Sequence, residues 1–198
     1  MNDNISLLSN TDIYLLDQIM KGRYQAPENV LDAGAGSGRN LPWFVHQGFQ
    51  VYGIDQNPEN VKALKKAYPS VPAEHFQEGL VESLPFPDDY FHHVISSAVL
   101  HFADSHTHFE QMFGEMIRVL KPGGSLFIRM TTDAGMGANM IAFGEGRFHL
   151  ADGSDRYVLN RRQLDVLLLK HKLQLLEPFK SVLVESVRSM GIIVLGKM

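Results

Sequence analysis

Gly34, Gly36 and Gly38 stand at alternate positions after the apolar run Val30-Leu31-Asp32-Ala33, and a second run, Val51 to Ile54, delivers Asp55 17 residues beyond the last glycine. Glycines permit a sharp strand-to-helix turn and let a ligand approach without meeting a Cβ atom. A carboxylate after the second strand can accept both hydroxyls of a ribose. A dinucleotide fingerprint, G-x-G-x-x-G, aims its helix at a pyrophosphate. Here the third glycine comes one residue early and Arg39 takes its expected place. Asp32, just before the loop, repels a pyrophosphate but can pair with the α-ammonium of an amino acid. An adenosine carrying an amino-acid tail therefore fits these residues better than NAD.

The elements that must hold these groups alternate between strand and helix. Ile13, Leu15, Leu16, Ile19 and Met20 recur at helical spacing over residues 11 to 21, behind an Asn10-Thr11-Asp12 cap, which predicts a helix over the crevice. Strand 1 is expected at Asn29 to Asp32, a helix at about 39 to 47 stopping at Gly48, and strand 2 at Gln50 to Ile54. Pro58 opens a helix that carries Val61, Leu64 and Ala67 to about Tyr68, and a short third strand follows at Ala73 to Gln77.

Phe91 to Ser97 reads as a central parallel strand interrupted by His92 and His93. A helix from about Thr107 to Leu120 then reaches the Lys121-Pro122-Gly123-Gly124 turn and the strand Ser125 to Met130. Beyond a helix at Arg161 to Lys170 come extended segments near Leu173 to Leu176, Ser181 to Val187 and Gly191 to Leu195. The last two are too close in sequence for a parallel crossover, so they predict an antiparallel hairpin. Strands alternating with helices imply an α/β fold whose parallel sheet is covered on both faces.

Four ordered segments extend the pattern: the glycine loop, Glu82-Ser83-Leu84-Pro85-Phe86-Pro87-Asp88, Phe91 through Leu100, and Arg118-Val119-Leu120-Lys121-Pro122-Gly123-Gly124. Over about residues 29 to 132 the chain resembles the class I S-adenosylmethionine-dependent methyltransferases, and in Arg39-Asn40 the UbiE- and tellurite-resistance-like small-molecule group. The resemblance implies a Rossmann-like, doubly wound, seven-stranded α/β sheet, mostly parallel with an antiparallel C-terminal strand, and S-adenosylmethionine as cofactor.

It further implies that Gly34, Ala35, Gly36 and Gly38 meet the methionine part, that Asp55 takes the ribose hydroxyls, and that Asp32 acts on the ammonium directly or through water. Gln56 is a candidate for the adenine face, and the backbone amides of Leu80 and Val81 for the adenine edge. Related chains often carry an acid where this one has Leu80, which leaves Glu78 or Glu82 to substitute or the affinity lower. A second departure is His92 in place of the family's usual, structural Asp. Arg39 either pairs with the cofactor carboxylate, for which its planar fork is suited, or is an ordinary solvated arginine. Ser97 leaves the C-terminal end of the fourth strand, where ligands of α/β sheets bind.

Methyl transfer from a sulfonium needs an aligned acceptor lone pair and gains much from positioning alone, so no strong nucleophile is required of the protein. His101 is the catalytic candidate: imidazole titrates near neutrality and can take a proton, the competing reading being a packed or surface histidine. His101, His106 and His108 also invite a metal reading. Two histidines one residue apart diverge on a helix, however, and Asp104 serves equally as its N-cap, so no metal site is expected.

Residues 131 to 160 mix Gly135, Gly137, Gly144, Gly146 and Gly153 with methionines and aromatics. A stretch of this kind serves as a lid or binding loop, here a substrate-covering insertion, or else is a disordered surface loop. Arg147, His149, Arg156 and Tyr157 would contact an anionic acceptor or remain solvated.

With 198 residues and 44% hydrophobic content the chain suits a single domain, residues 1 to 198. It has no cysteine, its N-terminal residues lack a signal-peptide profile and no apolar run reaches the length of a membrane span, so a cytoplasmic protein is expected, with no membrane partner. A net charge of −4 without a dense basic run disfavours nucleic acid as partner and favours a small-molecule methyl acceptor. The rival readings are an RNA or protein methyltransferase and a protein that binds the cofactor without transferring methyl, as a sensor or partner subunit. A nucleotide-dependent oxidoreductase comes last because of the glycine spacing.

Overall fold

The computed structural model describes residues 7–137 and 139–198. Its strands are β1 (Asn29–Ala33), β2 (Gln50–Asp55), β3 (Phe76–Glu78), β4 (Phe91–Ser97), β5 (Leu120–Thr131), β6 (Met140–Gly144), β7 (Arg147–Leu150), β8 (Asp155–Tyr157), β9 (Leu173–Leu175), β10 (Lys180–Val184) and β11 (Arg188–Lys197). The helices are α1 (Ile13–Met20), α2 (Pro42–His46), α3 (Pro58–Ala67), α4 (His106–Val119) and α5 (Arg161–Lys170).

The main sheet runs β10-β11-β5-β4-β1-β2-β3. β1 through β5 pair in parallel, β11 lies antiparallel on β5, and β9 and β10 both pair antiparallel along the far edge of β11. The outermost of the seven positions is thus shared by two short strands, which is the expected Rossmann-like sheet with its C-terminal hairpin. The pleat sends alternate side chains to opposite faces. Val30, Val51, Ile95 and Phe127 pack with Leu15, Phe44 and Leu64 of α1, α2 and α3. Leu31, Tyr52, Val94 and Leu126 pack with Phe109, Phe113 and Met116 of α4 and Leu164 and Leu167 of α5. Burial on both faces is why these strands read as nearly unbroken apolar runs.

The two histidines that interrupt β4 fasten the end of the sheet away from the glycine loop. His92 Nδ1 accepts the backbone N–H of Asn29 at 3.0 Å. The ring nitrogens of His93 lie 2.8 Å from Glu28 Oε2 and 2.7 Å from Ser125 Oγ. Burial pulls the His93 pKa down against the pull of Glu28.

Several boundaries depart from the expected ones. The helix after the glycine loop begins at Pro42 rather than at 39, because Gly38 N–H and Leu41 N–H close turns onto Ala35 and Gly38 carbonyls and Pro42 fixes the first helical φ. A 3₁₀ turn, Ala73–His75, takes the start of the expected third strand. Lys121 to Gly124 continue β5 through a register irregularity against β4. Ser105, not Asp104, caps α4, its Oγ accepting His108 N–H at 3.1 Å.

The largest difference lies in 131 to 160. Gly144, Gly146 and Gly153 serve the turns of a three-stranded antiparallel sheet, β6-β7-β8, and Gly135 and Gly137 precede it. Tyr157 of β8 is its fastening: the ring is fully buried, stacks on Phe109 with centroids 4.5 Å apart, and its hydroxyl lies 2.7 Å from His106 Nδ1. Among the described residues no helix is long and apolar enough to cross a membrane.

Candidate active site

The strand order reverses between β1 and β4, and a cleft of about 380 Å³ opens there at the C-terminal ends of the parallel strands. Asp55, the last residue of β2, stands on one wall. Its Oδ2 accepts Gly36 N–H at 2.8 Å, and its Oδ1 accepts Asn57 N–H at 2.9 Å and Asn60 Nδ2 at 3.0 Å. Gln56 continues this wall, Gly34 borders it, and Leu80, Val81 and Met112 form an apolar side opposite.

The glycines divide their labour. At Gly38 (φ +82°) a Cβ would fall 2.5 Å from Leu64 Cδ2 and 2.8 Å from Tyr68 Cε2, so the loop is packed there against α3 and the residue that caps it. At Gly36 (φ +54°) a Cβ would meet nothing within 4 Å, so this position faces open space. The N–H groups of Gly34 and Ala35 both reach Ile54 O at 2.9 Å, and Ala35 itself is buried.

Asp32 is buried beneath the loop, and its Oδ2 has no hydrogen-bond partner among the described residues. Burial pushes its carboxyl up to about 7, with Arg39 opposing and the like charges of Asp55 and Asp12 adding to the rise.

Arg39 and Ser97 do not line the cleft. Arg39 NH2 donates to Ser97 Oγ at 3.0 Å and lies 3.7 Å from Asp12 Oδ2, while its side chain stays exposed to solvent. Asp12 is the residue that gathers them. Its Oδ1 caps α1 through Tyr14 N–H at 3.0 Å, while Oδ2 accepts Ser97 Oγ–H at 2.7 Å and Arg129 NH1 at 3.3 Å. Sequence reasoning saw only the cap. The short polar run at Asn10 to Asp12 carried no sign of partners at positions 39, 97 and 129.

His101 is buried beside a second cavity of about 160 Å³, with Nδ1 3.3 Å from Thr131 Oγ1. Burial, joined by the charges of Arg156, Arg129 and Arg188, pushes its pKa down to about 4. That lies below the neutral range expected of it, and an imidazole so shifted is poorly matched to proton abstraction at neutral pH. His106 and His108 turn elsewhere, to Tyr157 and to Asp104 and Glu82. Of the residues expected in the lid, Tyr157 is core, His149 pairs with Asp155 at 2.9 Å, and Arg147 lies over the Phe143 ring. Arg156 alone of the four borders the second cavity.

Ala98 lines both cavities. It holds φ +64°, a left-handed conformation that costs a non-glycine residue about 1–2 kcal/mol, and its N–H donates to Arg129 O at 2.8 Å. Strain of this kind collects at functional sites.

A glycine turn on the first strand, an acid ending the second and a cleft at the reversal of strand order define a Rossmann-like nucleoside-binding protein. Residues 31–128 match the family model described as a methyltransferase domain. That match gives the chain a methyltransferase domain, carried on the Rossmann-like sheet that solved S-adenosylmethionine-dependent methyltransferases share. It is 36% identical over 102 residues to a demethylmenaquinone methyltransferase of Chlorobaculum parvum, covering 50% of this chain and 39% of the relative. The chain spans less than half the length of the curated relatives it matches.

Among solved structures it is similar to a SAM-dependent methyltransferase from Methanosarcina mazei, with a TM-score of 0.72, 22% identity and coverage of 91% of this chain and 97% of the other. It is also similar to the Burkholderia thailandensis 1,6-didemethyltoxoflavin-N1-methyltransferase, with a TM-score of 0.66, 18% identity and coverage of 91% and 74%. That structure holds 1,6-didemethyltoxoflavin and S-adenosylhomocysteine. At these identities the structural likeness is one of fold.

Proposed function

We propose that this protein transfers the methyl group of S-adenosylmethionine to a small-molecule acceptor by direct in-line displacement. The observation that carries the reading is the pair of cavities meeting at Ala98: a larger cleft with nucleoside-binding features abuts a smaller polar chamber on the same rim of the sheet.

The residues fit the cofactor. A ligand pocket of this size class, apolar on one side and polar on the other, suits an adenosyl group. A carboxylate offers about four lone-pair sites, and three on Asp55 are filled by Gly36, Asn57 and Asn60. One stays open to a ribose hydroxyl, and the Asn60 side chain can turn aside for a second. Gln56, Leu80 and Val81 would border the adenine. The partnerless oxygen of Asp32 suits a cationic ligand: a positive charge near the loop offsets the burial and the like charges that hold its proton on.

When bound, S-adenosylmethionine supplies a methyl on a sulfonium, whose S–C bond breaks with its electron pair going to sulfur as the acceptor lone pair bonds to carbon. The chain's own part is to bind, orient and exclude water. Ala98 fixes the partition between the two chambers, and the β6–β8 sheet within 131 to 160 covers the acceptor side. His101 acts there as a neutral polar wall rather than as a base. No metal takes part in this reading. The net charge of −4 and the narrowness of the second cavity favour a small acceptor over nucleic acid, and we assign the protein to the cytoplasm, with no membrane partner.

Calorimetric titration with S-adenosylmethionine and S-adenosylhomocysteine, with NAD as control, tests the reading. Selective binding of the sulfur ligands is expected. Their failure to bind folded protein overturns it, and binding without S-adenosylhomocysteine release across an acceptor screen favours a cofactor-sensing role instead.

A further inference from the structure

The geometry of the second cavity deepens the proposed function and rests on it: we propose that this chamber is the acceptor site and selects a small molecule bearing a carboxylate, held by Arg129, Arg156 and Arg188. The three guanidiniums come from distant parts of the chain. Arg129 lies in β5 between Ser97 of β4 and Ile192 of β11, Arg156 is the middle residue of β8, and Arg188 opens β11. All three border the same 160 Å³ chamber.

Their charge is only partly balanced by the protein, with Asp152 the one carboxylate on the chamber wall among the described residues. Arg188 NH1 lies 3.6 Å from Asp152 Oδ2. Arg129 NH1 lies 3.3 Å from Asp12 Oδ2, a carboxylate that Arg39 also approaches at 3.7 Å. Among the described residues Arg156 has no carboxylate within ion-pair distance; NH1 donates to the Asp155 carbonyl at 2.7 Å and the guanidinium lies 4.8 Å over the Phe102 ring. Four guanidiniums thus face two carboxylates, and Arg129 Nε is buried without a partner among the described residues. His101 stays neutral at physiological pH and adds no charge. The excess is what a small anion would neutralise, and a partly enclosed site strengthens that attraction relative to water.

A carboxylate suits the arrangement better than a larger anion. Its planar pair of oxygens matches the guanidinium fork, giving two parallel hydrogen bonds. At about 30 Å³ per water molecule, the chamber holds the volume of about five waters, enough for a carboxylate and a small ring. Guanidinium pairing draws electron density from the carboxylate oxygens, so they serve as the handle and another atom of the acceptor takes the methyl. Held by its carboxylate, the acceptor presents that atom at the Ala98 side, next to the cofactor cleft. The arginines are positioning residues in this scheme.

The test uses benzoate as probe, with benzamide as its uncharged isostere and phenyl phosphate as the alternative anion, each titrated into the protein with and without saturating S-adenosylhomocysteine. Benzoate is expected to bind at least about tenfold more tightly than benzamide, the equivalent of one charge-assisted contact. Arg156→Gln and Arg188→Gln should each weaken benzoate by about tenfold. Unchanged S-adenosylhomocysteine affinity in both variants would show that they keep the fold. Equal binding of benzoate and benzamide, no benzoate binding, or benzoate affinity untouched by both substitutions would overturn the proposal. Tighter binding of phenyl phosphate would overturn the carboxylate in favour of a phosphoryl group. Should S-adenosylhomocysteine itself not bind, the methyltransferase reading fails on its own, while the titrations without it still decide the anion site.

Discussion

Asp55 Oδ2 holds the backbone N–H of Gly36 at 2.8 Å, so the carboxylate that ends the second strand also fixes the loop that follows the first. One side chain thereby shapes the cleft, with three of its lone-pair sites filled by Gly36, Asn57 and Asn60. Asp55→Ala should lower S-adenosylhomocysteine affinity about hundredfold through the loss of charge-assisted hydrogen bonds, with circular dichroism unchanged. Calorimetry on the folded variant checks this, and near-native affinity would remove Asp55 from the site.

The contrast between two glycines gives a second expectation. Gly38→Ala drives a methyl into Leu64 and Tyr68 and should lower the unfolding midpoint in urea sharply. Gly36→Ala adds a Cβ that meets nothing within 4 Å, so its cost is the left-handed strain of about 1–2 kcal/mol, and its larger effect should be on cofactor affinity. Equal destabilisation by both would mean that the loop is not divided as the structure has it.

Asp32 predicts a pH dependence. Its folded pKa, about 7, is raised above the ordinary carboxylate value, so the protonated form favours the fold. That stability is fully present below the unfolded value near 4 and is lost as pH rises through 7. The free protein should melt at lower temperature at pH 8 than at pH 5, with a flatter profile in Asp32→Asn. Affinity for S-adenosylmethionine should run the other way, rising between pH 6 and 8 as the carboxylate ionises and attracts a cation. A pH-independent affinity would argue against Asp32 as the partner of the ammonium.

His92→Ala removes the acceptor of Asn29 N–H and should cost about 1 kcal/mol in chemical denaturation without altering S-adenosylhomocysteine affinity. A changed affinity would extend the influence of this end of the sheet to the cleft.

The parts legible in the sequence were those with local signals. The glycine loop, the acid after β2 and the hairpin of β10 and β11 are each written in a few consecutive residues, and each lies near its expected place. The β6–β8 sheet escaped because its strands are only three to five residues long, separated by glycine turns, and β6 is almost wholly exposed, so no alternation marks a buried face. Asp12 and the arginine chamber escaped for another reason. Arg39, Ser97 and Arg129 stand 27, 85 and 117 residues from Asp12, and no spacing rule links positions 12, 39, 97 and 129. Arg39 shows what a motif alone leaves out: its place in the loop suggested the cofactor or solvent, and gave no sign of Ser97 and Asp12 beside it.

β8 separates fastening from recognition. Successive residues on a strand point to opposite sides, so Tyr157 is locked into the core while Arg156, its neighbour, faces the chamber. β7 is tied to both, pairing Arg147 with Tyr157 and Phe148 with Arg156, and Gly146 O accepts Val158 N–H at 3.0 Å. Only β6, almost wholly exposed and paired with β7, stands clear of that seam, so the small sheet has one outer strand free to vary and two that are built into the frame.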